Sequence, residues 1–189
     1  MPDIFVFGGC NGSGKTTVAN TILEAFSDVE FVNADLIAAR LNPLNVDVVA
    51  IQASRLMLQR LNTLSIQKAN FAFETTLATR TFAKFLRDCQ TKEYRINLIY
   101  IWLDSVELAI DRVRKRVESG GHDIPIEVIH RRYERGRKNL IQLYLPIANR
   151  FQAYDNSTTI SSLIAYRSNL KQEVVIIEQN TWNQIINSS

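Results

Sequence analysis

A chain of 189 residues, 46% of them hydrophobic and 22% charged, has the composition of a water-exposed globular domain with one core. A formal net charge of +3 does not demand a nucleic-acid partner, and two cysteines cannot make a disulfide framework. No apolar run approaches the roughly 20 residues of a membrane span and no signal-peptide pattern opens the chain, so one cytoplasmic domain over residues 1–189 with no membrane partner is expected.

Ile4-Phe5-Val6-Phe7 reads as a short buried strand. It leads into Gly9-Cys10-Asn11-Gly12-Ser13-Gly14-Lys15-Thr16, which fits G-x-x-x-x-G-K-[ST]. A helix is expected from Thr16 to Phe26, with Val18, Ile22 and Phe26 on one face and Ala19 and Leu23 beside them. Strand, glycine-rich turn and helix is the arrangement a phosphate cradle requires. Glycines let the backbone curl until several N–H groups face one anion, and the helix N-terminus adds its positive end. Asn11, Gly12, Ser13, Gly14, Lys15, Thr16 and Thr17 are therefore the expected nucleotide-binding residues. Lys15 would reach the outer phosphates and the Thr16 hydroxyl would hold Mg²⁺, with ATP the assumed nucleotide. Cys10 reads as a tolerated small residue.

Ser27-Asp28 breaks the helix, and Val29 to Val32 forms a second strand ending in Asn33-Ala34-Asp35. Ligands of open α/β sheets bind off the carboxyl ends of strands, which puts Asp35 on the rim of the phosphate loop. Two roles are open for it: a base that takes the proton of an attacking hydroxyl, or a helix N-cap. Val46 to Ala69 carries a helical stripe of Val49, Ala53, Leu56, Met57, Leu61 and Leu64. Phe71-Ala72-Phe73 then ends abruptly in Glu74-Thr75-Thr76. A carboxylate closing a buried strand is costly unless it is used, so Glu74 is expected in the Mg²⁺ shell or on substrate hydroxyls rather than in a surface turn. Arg80, opening the next helix (Thr81 to Cys89), would swing onto a phosphate.

Ile96 to Leu103 is the longest apolar run, as for a strand buried on both faces. Asp104 after it suits an N-cap or a cation-holding acid equally. Between Arg112 and Lys138 lie nine of the chain's 22 lysines and arginines, around Ser119-Gly120-Gly121-His122 and Pro125 early in a second helix. Two basic helices on a glycine hinge read as a lid, at about 112–138, that closes on phosphates. Tyr133 is nearly the only aromatic there, so a nucleic-acid surface is the less favoured reading. Neither His122 nor His130 has metal-ligand company in the sequence. A helix over Leu140 to Ala148, a core strand from Arg150, an edge hairpin from Ser162–Arg167 and Glu173–Ile177, and a closing helix near Trp182 complete the chain. The succession predicts a P-loop NTPase/kinase-type α/β fold: a parallel sheet flanked by helices, an arginine-bearing helical lid and a small C-terminal edge hairpin.

Five blocks in order give the chain a resemblance to the zeta-toxin branch of the P-loop kinases, from Ile4 to about Ser157. They are the phosphate loop; Val32-Asn33-Ala34-Asp35; Phe73-Glu74-Thr75-Thr76-Leu77-Ala78-Thr79-Arg80; Gly120-Gly121-His122-Asp123-Ile124-Pro125 leading to Arg131-Arg132-Tyr133; and Tyr154-Asp155-Asn156-Ser157. Zeta toxins phosphorylate the 3′-hydroxyl of the aminosugar in UDP-N-acetylglucosamine and are restrained by an antitoxin. The resemblance implies Asp35 as general base, Glu74 as a ligand for sugar or metal shell, and Lys15, Arg116 and Arg132 on the phosphates. Thr75, Thr76 and Arg80 would lie on the acceptor side, and the partners would be a sugar-nucleotide acceptor and an antitoxin protein. The chain departs from the plasmid-borne toxins in being shorter and in carrying Thr75-Thr76 where they have a glycine-containing turn.

Overall fold

The computed structural model describes residues 1–43, 45–46, 48–121 and 123–187; His122 of the hinge motif lies outside them. In chain order the elements are β1 (Asp3–Gly8), α1 (Lys15–Leu23), β2 (Glu30–Val32), α2 (Ala34–Leu41), α3 (Ala50–Ile66), β3 (Phe71–Thr75), α4 (Thr81–Gln90), β4 (Arg95–Trp102), α5 (Val106–Glu118) and α6 (Ile126–Asn139). A π-helical turn (Leu140–Tyr144) and a 3₁₀ turn (Leu145–Ile147) follow, then β5 (Arg150–Asp155), β6 (Ser162–Arg167), β7 (Val175–Ile176) and α7 (Gln179–Ile186).

The strands form one sheet in the order β2-β3-β1-β4-β5-β6-β7. β2, β3, β1, β4 and β5 are parallel, and β6 and β7 add antiparallel to the β5 edge. The expected edge hairpin is therefore present, and it makes the sheet mixed. In central β1, Ile4 and Val6 face one layer with Phe71, Phe73, Ile96 and Leu98. Phe5 and Phe7 face the other, where Ala19, Val18 and Ile22 of α1 cover Ile99 and Ile101. Both faces are covered, which is why β1 and β4 read as near-continuous apolar runs. Because β3 lies between β1 and β2, the carboxyl ends of β1, β2 and β3 share one rim, with Phe7 in register with Glu74.

Several boundaries differ from expectation. α1 stops at Leu23, and tight bonds from Ala25 N to Ile22 O and Phe26 N to Leu23 O turn the chain. Phe26 is thus exposed rather than on the buried face, its ring 5.0 Å from that of Phe5. α3 begins at Ala50 rather than Val46, and Ala53, Met57, Leu61 and Leu64 are its buried stripe while Leu56 is exposed. The expected helix over Leu140 to Ala148 is α-helical nowhere: Pro146 has no N–H to continue a helical ladder, and the chain leaves through π and 3₁₀ turns. Pro125 is the N-cap of α6, just outside the helix.

The second helix of the expected lid is bolted down along its C-terminal half. The Tyr133 hydroxyl donates to Leu103 O at 2.7 Å, Asn139 Nδ2 donates to Leu77 O at 2.8 Å, and the Tyr144 hydroxyl after it donates to Thr79 O at 2.8 Å. Gly136 is where α6 crosses the β3–α4 turn, so close that a Cβ there would stand 2.4 Å from Thr76 O. The α6 arginines therefore stand on a fixed base.

Candidate active site

The phosphate loop joins β1 to α1 as expected. Gly14 takes the N-cap position with φ 89°, a left-handed conformation suited to glycine, and no side chain caps the helix. The first turn of α1 thus presents uncapped N–H groups and the positive end of the helix dipole. Lys15 Nζ rests on Cys10 O at 2.7 Å, across the mouth of the loop. Burial holds its ammonium below the usual lysine range; the Glu74 and Asp35 carboxylates oppose that shift and Arg116 adds to it. Burial also pushes the Cys10 thiol up to about 11, so it is not a thiolate at neutral pH and fits the reading of a small filler.

Glu74 is the hub of the acidic side. Its Oε2 accepts the Thr16 hydroxyl at 2.8 Å and its Oε1 accepts Asn33 Nδ2 at 2.9 Å. A hydroxyl that donates to a carboxylate keeps its own lone pairs for a cation. Thr16 and Glu74 are thus hard oxygen donors of the kind Mg²⁺ takes from protein alongside phosphate oxygens and water, and the residues present fit that ion. No cluster of three or more His, Cys, Asp or Glu able to hold a metal occurs among the described residues.

Asn33, not Asp35, caps α2: its Oδ1 accepts Asp35 N at 2.7 Å and Leu36 N at 3.2 Å. The N-cap alternative for Asp35 is therefore overturned. Asp35 sits in the first turn, its carboxylate exposed and near enough to favour the charged forms of both Lys15 and Arg132. Arg132 reaches from α6 to Asn11 Oδ1 of the loop at 3.3 Å, partly buried, and burial lowers its pKa with help from Arg131 against the pull of Asp35. Arg116, on the last turn of α5, acts on Lys15 through its charge.

The β3–α4 turn divides the acceptor-side candidates. Thr75 is buried, and its hydroxyl oxygen accepts Leu77 N at 3.1 Å, supporting the left-handed Leu77 (φ 59°). Thr76 is half-buried under α6 and Arg80 is exposed. Arg80 borders a cleft of about 420 Å³ between α3 and α4 with Leu58, Asn62, Lys84 and Asp88. Ser105, and not Asp104, is the N-cap of α5, and Asp104 borders a second cleft with Trp102, Arg137 and α7.

Two site residues escaped assignment from sequence. Asn33 stands two before the acid, where Asn is a favoured N-cap. Asn156 follows β5 on the same rim, and its Nδ2 donates to Ser13 O at 2.8 Å. Asp155 Oδ1 accepts Ser157 N at 2.8 Å, Ser157 Oγ accepts Asp104 N at 2.9 Å, and Arg112 donates to Ser157 O at 3.3 Å. The Tyr154-to-Ser157 block is a brace for the phosphate loop and α5.

Comparison with known proteins bears on these residues as a set. A family model described as Zeta toxin matches residues 1–171. A Haemophilus influenzae protein described only as uncharacterized is 30% identical over 125 residues, which are 66% of this chain and 88% of that one. Among solved structures, an AvrRxo1-ORF1:ORF2 complex crystallised with ATP superposes with a TM-score of 0.81 at 16% identity, covering all of this chain and 64% of that chain. This chain thus spans under two thirds of that structure's length. A chain of the PezAT chromosomal toxin–antitoxin system of Streptococcus pneumoniae gives 0.62 at 20% identity, over 85% of this chain and 72% of that one. A chain of the Pnkp1/Rnl/Hen1 RNA repair complex gives 0.61 at 20%, over 75% and 46%. At such identities the likeness is one of fold, and the fold is that of the P-loop kinases.

Proposed function

The chain belongs to the zeta toxin family, and from that premise we propose that it is an ATP-dependent phosphotransferase acting on a hydroxyl of a sugar nucleotide, UDP-N-acetylglucosamine first. The observation that carries the reading is the convergence on one rim of the uncapped phosphate loop, Lys15, the Asp35 and Glu74 acids, and Arg132. An NTP-driven switch needs an acid on the cation side, as Glu74 is, but has no need of a second one such as Asp35 to accept a proton from an attacking hydroxyl.

The loop amides from Asn11 to Thr17 cradle the phosphates, with Lys15 on the outer ones. Thr16, backed by Glu74, would hold Mg²⁺, which would supply positive charge to offset that of the phosphates. Asp35 takes the proton as the acceptor oxygen attacks the γ-phosphorus; the bond to the β,γ-bridging oxygen breaks and ADP leaves. Arg132, preset on α6, and Arg116, near the hinge, offset charge on the transferred group. Thr76 and Arg80, which follow Glu74 between β3 and α4, are assigned to the acceptor, and Thr75 shapes the turn that carries them.

Incubation with Mg²⁺-ATP and UDP-N-acetylglucosamine, read by mass spectrometry beside Lys15→Ala, tests this directly. A phosphorylated sugar nucleotide made only by the intact protein is the expected result. ATP turnover without that product removes the acceptor and leaves the kinase; an RNA or DNA end, suggested by the basic α5–α6 pair, is then the next acceptor to try. The AvrRxo1-ORF1:ORF2 and PezAT structures come from two-chain systems, and on that precedent we propose an antitoxin chain as partner, testable by whether growth arrest on expression is relieved by the neighbouring gene product.

A further inference from the structure

We propose that Asn33 is a positioning residue that joins the cation-holding side of the site to the proton-accepting side; the inference rests on the kinase reading above. Every heteroatom of its side chain is committed. Oδ1 accepts Asp35 N at 2.7 Å and Leu36 N at 3.2 Å, and Nδ2 donates to Glu74 Oε1 at 2.9 Å. With the oxygen turned toward two backbone donors, the amide has one orientation open to it, and its N–H₂ must face Glu74. Asn33 is 4% exposed, so these contacts are made away from water. Glu74 then passes the constraint on, its Oε2 accepting the Thr16 hydroxyl at 2.8 Å.

One continuous path therefore runs from the Thr16 hydroxyl through Glu74 and Asn33 to the backbone of Asp35. The choice of an amide has a chemical reason. A lysine or arginine at this place would also orient Glu74, but its positive charge would neutralise the carboxylate that attracts the cation. A neutral donor fixes the carboxylate plane and leaves its charge available. The same amide caps α2, so the rotation of that helix, and with it the place of Asp35, is tied to the position of Glu74. A serine at position 33 would keep the cap, for which Ser and Asn are equally favoured. Its shorter hydroxyl cannot hold two helix amides and also reach across to β3.

Asn33→Ser thus separates the link from the cap, and Asn33→Ala removes both. The assay is binding of ADP to the full chain in a MgCl₂ titration, with a parallel titration in EDTA and a melting curve. Asn33→Ser is expected to melt close to the parent. It should raise the Mg²⁺ concentration for half-maximal tightening of ADP binding by about 10-fold or more, the usual effect of losing a partner of a metal ligand, with EDTA binding unchanged. Asn33→Ala should show the same Mg²⁺ shift with a lower melting temperature. An unchanged Mg²⁺ midpoint in Asn33→Ser overturns the proposal. Equal weakening with and without Mg²⁺ overturns it too, since Asn33 would then serve only the fold. A parent protein whose ADP binding responds to Mg²⁺ but which never phosphorylates UDP-N-acetylglucosamine loses the acceptor reading alone, and the titration still decides Asn33. A parent that shows no Mg²⁺ effect on nucleotide binding sinks both.

Discussion

Asn156 is the side chain whose removal tests the account of the phosphate loop most sharply. Its Nδ2 is 2.8 Å from the carbonyl of fully buried Ser13, so Asn156→Ala leaves that carbonyl unpaired, at a cost of about 1–3 kcal/mol. If the whole cost falls on the phosphate-binding shape of the loop, ATP affinity drops by roughly 5- to 150-fold. The neighbouring glycine sharpens the test. A Cβ on Gly14 would meet Asn156 Nδ2 at 2.7 Å and nothing else within 3.5 Å, at a backbone φ of 89°. Gly14→Ala therefore carries a left-handed strain of about 1–2 kcal/mol and a clash with one side chain. In the double variant the clash is gone and the strain remains, so the two losses should sum to more than the double loss by about 0.5 kcal/mol or more. Urea unfolding and calorimetric ATP titration of the four proteins complete the cycle. Losses that add within about 0.3 kcal/mol, or an Asn156→Ala protein with parental affinity, refute the brace.

Asp35→Asn should lower phosphoryl transfer by about 10²- to 10⁴-fold, the usual contribution of a positioned base, while calorimetry finds Mg²⁺-ATP affinity nearly intact; loss of both would mean that Asp35 serves the nucleotide. Gly136→Ala places a Cβ 2.4 Å from Thr76 O, and a clash with backbone should destabilise the protein by about 1–3 kcal/mol in urea unfolding. A neutral or stabilising result there would show that α6 is free to lift from the β3–α4 turn. Burial raises the Asp3 carboxyl, but the Arg95 fork (Nε to Oδ1 2.6 Å) and the Asn97 amide outweigh it, leaving Asp3 below its ordinary carboxylate value. The stabilisation is complete above the unfolded-state value of about 4 and disappears as pH falls through the lower folded-state value. Asp3→Asn should therefore flatten the acid side of melting temperature against pH, and parallel curves for the two proteins would refute the assignment.

Much of the molecule was readable residue by residue. Apolar runs bounded by turn residues located β1, β3 and β4, because strands buried on both faces must be apolar throughout. The phosphate loop was legible because its chemistry lies in the backbone and needs glycine at fixed spacing. The edge hairpin and the Trp182 helix were also foreseeable from local pattern. Element ends were less so: α1 ends three residues before Phe26, and Pro146 turns a helical pattern into π and 3₁₀ turns.

The roles of the polar residues were a different matter. Asp35 and Asp104 each read as either functional acid or cap, and the neighbouring Asn33 and Ser105 proved to be the caps. A capping preference is shared by four residue types, and only the three-dimensional path of the backbone selects which one meets the helix amides. Glu74 stood out locally because a carboxylate at the end of a buried strand is expensive. Its partners, Thr16 and Asn33, are 58 and 41 residues away and meet it only because β3 inserts between β1 and β2. The same holds for Asn156 beneath a loop 143 residues earlier and for Arg132 across from Asn11. Sequence by itself determined the backbone chemistry of the phosphate loop and the layers that bury it, since these depend on local conformation and on solubility in water. Strand order decided which side chains share the rim, since hydrogen-bond partners distant in the chain are chosen by the packing of the whole sheet.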